Sequence, residues 1–203
     1  MKGDGKMQTK IFIVNGQGSV GKDEFVNFIR QYDKKLFGYE RIIHTSMVDR
    51  IKFIATMCGW TGAKELKDRE FLHDLKILLE NYNDLPYSTI VSLIQRNEAM
   101  TVDHKPLCPY IFIDAREIKD INRFKKDFNC TTILVKRGES KIFHNEADDE
   151  VFNYQYDYVI DNNRELEDLQ FAAQVFWDEI LKNEFTPSWE TFEIEDELEI
   201  MEV

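Results

Sequence analysis

The chain predicts a three-layer, doubly wound α/β fold built on a parallel five-stranded sheet. Three observations carry that reading. Apolar, β-branched strand runs alternate with stretches of helical periodicity, which implies a parallel sheet with helices on both faces. Residues 11–28, IFIVNGQGSVGKDEFVNF, join an apolar strand to an amphipathic helix through Gly16-x-x-x-x-Gly21-Lys22. Residues 109–114, PYIFID, are a near-continuous apolar run, as a strand buried on both faces requires.

The elements follow in order. Strand one is 10–14, and the helix after it places Phe25, Phe28, Ile29, Tyr32 and Leu36 on one face until Gly38 stops it. Residues 41–44 read as strand two. Ser46-Met-Val-Asp49 is a capping box opening a helix with Val48, Ile51, Ala55 and Cys58 inward. Gly59 and Gly62 bracket a break. Residues 68–82 are helical, with Phe71, Leu72, Leu75, Leu78, Leu79 and Tyr82 as the apolar stripe. Pro86 fits the first turn of another helix carrying Ile90, Val91 and Ile94. Strand three, 109–114, leads to a short helix with Ile121, Phe124 and Phe128. Strand four is 131–135, 138–156 is polar and irregular, and 157–161 is strand five. A helix over 165–182 carries Leu166, Leu169, Ala173, Phe176 and Ile180. No internal repeat or linker divides the chain.

Composition narrows the function classes. At 203 residues, 43% hydrophobic and 13% aromatic, the chain can bury a sizeable core. No apolar run approaches the roughly 20 residues that span a bilayer, and no signal peptide precedes the first strand. The expectation is a protein without a membrane. Cys58, Cys108 and Cys130 are odd in number and lack CxxC spacing, so they read as reduced thiols in a cytoplasmic protein. A net charge of −12 argues against nucleic acid as a partner, yet a local basic cluster is sufficient for one triphosphate. The acid is concentrated at the end: eight Asp or Glu residues and no base follow Lys182. Phe185, Trp189, Phe192, Ile194, Leu198 and Ile200 interleave with those acids, a composition suited to disorder, loose docking, or contact with a neighbouring subunit in a homodimer.

The glycine-rich segment is a phosphate-binding loop in its chemistry. Glycines let successive backbone N–H groups converge on one point, and a helix N-terminus adds positive partial charge there. Lys22 supplies an ammonium for β- and γ-phosphates. Asp23 stands where a Ser or Thr is expected, and its carboxylate can ligate a metal or cap the helix. Asp114, ending a buried strand, falls where open α/β sheets bind ligands. It can hold magnesium through water or position an acceptor, and Arg116 beside it can clamp a phosphate. Arg69 and Arg137 are further cations, for an acceptor phosphate and for the transferring group respectively. The plain alternatives are a glycine-rich turn with a surface lysine, a helix-capping Asp114 and solvated arginines. His44, His104 and His144 are scattered singly and read as ordinary surface or core residues. These parts suit phosphoryl transfer, which depends on positioning and cationic stabilisation.

Four segments carry a resemblance to known proteins: GQGSVGKDEF, SMVDRIKFIATMCGW, FIDAREIKDINRFKKDFNCTTILVKR and EADDEVFNYQYDYVIDNN. Together they resemble the P-loop nucleoside/deoxynucleoside monophosphate kinases, particularly the phage-type deoxynucleoside monophosphate kinases, and the related animal-type phosphomevalonate kinases. They cover about half of residues 10–175. The resemblance implies ATP and Mg2+ held by Gly16, Gly18, Ser19, Val20, Gly21, Lys22 and Asp23, with Asp114 also at the metal and Asn162 near the adenine. It implies catalytic roles for Lys22, Asp114, Arg116 and Arg137, and acceptor contacts from Lys52, Arg69 and Arg116. A single domain over 1–182 would contain a helical acceptor-binding region at 47–100 and a lid at 138–156, followed by the acidic tail at 183–203. The lid has Lys141 and His144 but no arginine, and the tail matches nothing in either family. The acceptor that the resemblance implies is a nucleoside monophosphate or another phosphorylated metabolite such as phosphomevalonate. A nucleotide-binding module without efficient transfer is the non-enzymatic alternative.

Overall fold

The structure, a computed structural model, describes residues 9–63, 65–102, 105–138 and 151–185. Most of the expected lid, the acidic tail beyond 185, Lys64 and His104 lie outside the described residues. The sheet contains β1 (Lys10–Asn15), β2 (Ile42–Ser46), β5 (Tyr110–Asp114), β6 (Thr131–Lys136) and β7 (Tyr158–Asp161) in the order β2-β5-β1-β6-β7, all parallel. The helices are α1 (Lys22–Phe37), α2 (Asp49–Met57), α3 (Leu66–Asn83), α4 (Leu85–Ala99), α5 (Ile118–Phe128) and α6 (Leu166–Phe185). Two-residue strands β3 (Thr101–Val102) and β4 (Lys105–Pro106) pair antiparallel after α4. The fold is the predicted three-layer one.

The period of two along β1 explains the layers. Phe12 and Val14 face a core shared with Phe25 and Ile29 of α1 and Phe176 and Trp177 of α6. Ile11 and Ile13 face a second core with Ile90 and Ile94 of α4 and Ile121 and Phe124 of α5. A strand covered on both faces must be apolar at every position, which is why β1 and β5 read as unbroken hydrophobic runs. Trp177 is fully buried, edge-on to Tyr110 at 4.7 Å, and its indole N–H donates to Asp33 at 3.0 Å.

Strand ends differ from expectation where pairing or charge decides them. β2 runs to Ser46 because its register against β5 continues to Ser46↔Asp114. Arg41, expected in the strand, instead turns into a buried cluster: its Nε lies 3.3 Å from Asp33 Oδ2 and its Nη2 donates to the Tyr110 hydroxyl at 3.0 Å. The capping box is partly formed. Asp49 Oδ2 accepts from Ser46 N at 2.7 Å, but Ser46 Oγ accepts from Val48 N rather than from the helix.

The largest departure is α3. No residue of this helix is buried, and Phe71, Leu78 and Tyr82 of the predicted stripe are exposed, Tyr82 at 81%. Only Leu72, Leu75 and Leu79 are half-buried. The helix packs on α2 and α4, not on the sheet, and periodicity marks an apolar face without saying what covers it. Leu36, Cys58 and Leu166, also expected inward, are exposed at the margins of their faces. Polar ties hold α3 in place: Lys76 pairs with Glu80 and Glu117, and Lys119 reaches Glu80 at 3.0 Å.

Asp157 links the start of β7 to the start of β6, accepting from Thr132 N at 2.8 Å and Thr132 Oγ1 at 2.7 Å. Burial pushes its carboxyl up, but the two Thr132 donors and Lys125 outweigh that and hold it below the ordinary value. A lowered folded pKa means the unfolded chain binds the proton more readily, so the stabilisation is present above the carboxylate range and is lost as pH falls through and below about pH 4. Asp157→Asn is therefore expected to flatten the acid limb of a stability–pH curve measured by urea unfolding between about pH 3 and pH 6. An unchanged slope would show that this carboxylate is not linked to folding.

Candidate active site

The loop from Gly16 to Gly21 leaves the central strand β1 and enters α1, at the point where the sheet order reverses direction between β5 and β6. Its shape depends on left-handed backbone. Gly16 has φ +148, Ser19 +62 and Gly21 +94. A Cβ at Gly16 would overlap the Val135 carbonyl, and one at Gly21 would press on the Asn162 carboxamide. These glycines are therefore required by close approach as well as by conformation. Gly16→Ala is expected to cost about 3 kcal/mol, from strain plus overpacking, and to be read as a lower urea midpoint.

Three side chains tie down the polar groups of the loop. Asn15 accepts from Gly16 N at 2.7 Å and donates to the Arg116 carbonyl at 3.1 Å and to the Tyr156 hydroxyl at 2.7 Å. Asn162, just past β7, donates to the Val20 carbonyl at 2.8 Å. Lys22, the first residue of α1, is buried, and its Nζ donates to the carbonyls of Gly16 at 2.7 Å and Gln17 at 2.8 Å. The ammonium thus sits across the loop mouth on backbone carbonyls it can exchange for phosphate oxygens. The first turn of α1 adds N–H groups that the helix itself cannot satisfy.

On the rim, carboxylate oxygens of Asp23 and Asp114 and a ring nitrogen of His44 lie within 4.8 Å of one another. Asp114 Oδ2 is 3.2 Å from His44 Nε2. Its Oδ1 is buried and accepts no hydrogen bond among the described residues. An anionic oxygen shielded from water and left without a donor fits a cation ligand. The carboxylates expected at a magnesium site are thus brought together beside the loop.

The predicted cations are distributed differently. Arg116 is anchored through its carbonyl to Asn15 while its side chain is exposed, and Arg137 is exposed directly after β6. Lys52 on α2 and Arg69 on the first turn of α3 are exposed on the helical region between β2 and β5. An open hollow nearby is lined by Cys58, Gly59, Trp60, Lys67, Asp68 and Phe71.

Two site residues escaped the sequence reading. His44, taken as an ordinary histidine, meets Asp114 because β2 and β5 are neighbours in register, a pairing that linear spacing does not reveal. Tyr156, at the end of the lid segment, accepts from Asn15 and donates to the Val151 carbonyl at 2.9 Å. Burial raises its hydroxyl pKa to about 12 against the lowering by Asn15, so it stays protonated and can do both. Tyr156 is half-buried, and its hydroxyl needs a partner there.

The sheet, its two helical layers and the glycine-rich loop that follows the central strand define a three-layer α/β fold of the P-loop type. No protein-family model matches the chain, and no curated protein matches it. Among solved structures it is similar to a sugar kinase from Janibacter sp. HTCC2649, with 14% identity over 84% of this chain and 95% of the other, at a TM-score of 0.44. It is also similar to a de novo designed protein of P-loop NTPase fold, with 14% identity, 85% and 93% coverage and a TM-score of 0.37. Thymidylate kinase from Ehrlichia chaffeensis gives 12% identity, 87% and 89% coverage and a TM-score of 0.31.

Proposed function

We propose that the chain is an ATP-dependent kinase that transfers the γ-phosphoryl group to a nucleoside or deoxynucleoside monophosphate. The observation that carries this reading is the left-handed glycine loop closed by Lys22 on its own carbonyls, with two carboxylates at its rim. Anion chemistry alone would not need those carboxylates. A polyphosphate with a divalent ion would.

In this reading the loop amides and the start of α1 hold the β- and γ-phosphates, and Lys22 leaves Gly16 and Gln17 to follow charge onto the transferring group. Asp23 and Asp114 would hold Mg2+, which supplies charge neutralisation between the phosphates when bound. An oxygen of the acceptor phosphate attacks the γ-phosphorus, the bond to the β-phosphate oxygen breaks, and ADP leaves. Arg116 and Arg137, just past the ends of the two strands that flank β1, would stabilise the equatorial oxygens, and Lys52 and Arg69 would orient the acceptor over the helical region. Asn162, hydrogen-bonded to Val20, braces the loop from the side where the adenine would lie. The hollow beside Trp60, Phe71 and Lys67 offers aromatic faces and a cation, the chemistry a base and a phosphate require.

An assay of ADP release against a panel of nucleoside monophosphates, with phosphomevalonate as a non-nucleotide acceptor, tests the proposal. Turnover dependent on a nucleotide acceptor is the expected result. Turnover only with a non-nucleotide acceptor would reassign the substrate, and ATP binding without acceptor-dependent turnover would reduce the chain to a binding module.

A further inference from the structure

We propose that His44, Asp114 and Asp23 form a site for a first-row transition-metal ion, one that binds Mn2+ or Co2+ more tightly than Mg2+ and does so without nucleotide. It rests on the kinase reading only in that phosphate oxygens would fill the remaining coordination positions. The protein ligands are argued from their own geometry.

The ligand atoms come from three different elements and still converge. His44 belongs to β2 and Asp114 ends β5, with Ser46 paired to Asp114 in register. Residues two apart along a strand share a face, so the imidazole and the carboxylate project to the same side of two hydrogen-bonded strands. Rigid strand ends fix their separation. Asp23 enters from the first turn of α1.

The distances suit one ion. Two ligands about 2.1 Å from a metal and at right angles are about 3.0 Å apart, and opposite ligands are about 4.2 Å apart. His44 Nε2 and Asp114 Oδ2 are 3.2 Å apart, and all three ligand atoms lie within 4.8 Å. Asp23 is exposed, so rotation of its side chain can close the remaining gap. Asp114 Oδ1, buried without a donor among the described residues, is a second observation that favours a cation beside this carboxylate. A magnesium site would need only the carboxylates. Imidazole adds a borderline-soft nitrogen that Mg2+ takes poorly and that Mn2+, Co2+ and Zn2+ accept in rising or comparable order. The three protein ligands also leave half of an octahedron open, which suits an ion that must still receive polyphosphate oxygens.

The test uses the full chain, free of nucleotide, titrated calorimetrically with Co2+ or Mg2+ alone in a non-coordinating buffer. One Co2+ site at least about tenfold tighter than Mg2+ is expected, and His44→Ala should weaken Co2+ at least about tenfold. Circular dichroism checks that the variant folds. The unaltered protein loaded with Mn2+ provides a readout free of any variant: electron spin-echo modulation from a directly bound imidazole 14N. Equal affinities for Co2+ and Mg2+, a His44→Ala protein that binds Co2+ normally, or no 14N coupling would each overturn the inference. ATP affinity is measured separately. ATP binding without the His44-dependent Co2+ site sinks this inference and leaves the kinase reading. The Co2+ site without ATP binding does the reverse.

Discussion

Lys22→Ala is expected to lower acceptor-dependent ADP release about 10²- to 10³-fold, the scale of removing one preorganised charge donor from a transferring group. Two losses combine. The transition state loses an ammonium, and the carbonyls of Gly16 and Gln17 lose the donors now at 2.7 and 2.8 Å, so the empty loop relaxes. Because Lys22 is only 9% exposed, no neighbouring surface lysine can take over its position without moving the loop. Lys22→Arg should rescue little, since a planar guanidinium cannot place a compact charge between two carbonyls this close. Steady-state kinetics and ATP calorimetry check both statements. A Lys22→Ala protein with unchanged turnover would remove the basis of the phosphate-loop assignment.

Asp33→Ala is expected to be the most destabilising single change, costing about 3 to 5 kcal/mol. Asp33 is fully buried between α1, β2 and α6. It faces the Arg41 guanidinium at 3.3 Å and accepts from the Trp177 indole at 3.0 Å, while Phe37 stacks on the same guanidinium at 3.5 Å. Truncation leaves a buried cation without its counter-charge and an indole N–H without its acceptor, in a volume the surrounding aromatic rings cannot refill. Thermal unfolding should fall by roughly 6 to 20 °C for a chain of this size. The Asp33→Ala, Arg41→Ala double variant should cost less than the sum of the single changes, because removing both charges leaves neither orphaned. Strict additivity in urea midpoints would show that the pair is not coupled.

Legibility followed the range of the interaction. The loop at 16–22 was readable because glycine, lysine and a helix start act on one another within seven residues. Asp114 was readable because a polar residue ending an apolar run marks the mouth of a buried strand. His44 was not readable, since its importance arises from a lateral strand pairing across seventy residues of chain. The α3 stripe failed for a related reason: its spacing is correct for an apolar face, but the covering partner is a matter of packing, and α2 and α4 reach only part of it. Trp177 and Asp33 met from opposite ends of the described chain, 144 positions apart, where no local pattern could link them.

What could be deduced from the amino acids alone was therefore the alternation of strand and helix, the parallel sheet and the glycine-rich strand-to-helix turn, all set by short-range sterics and the periods of 2 and 3.6. Folding in three dimensions added the partners: which loop carbonyls Lys22 holds, which aromatic groups enclose Arg41, and which nitrogen stands beside Asp114. Those depend on strand order and register, in which residues distant in sequence become neighbours a few ångströms apart.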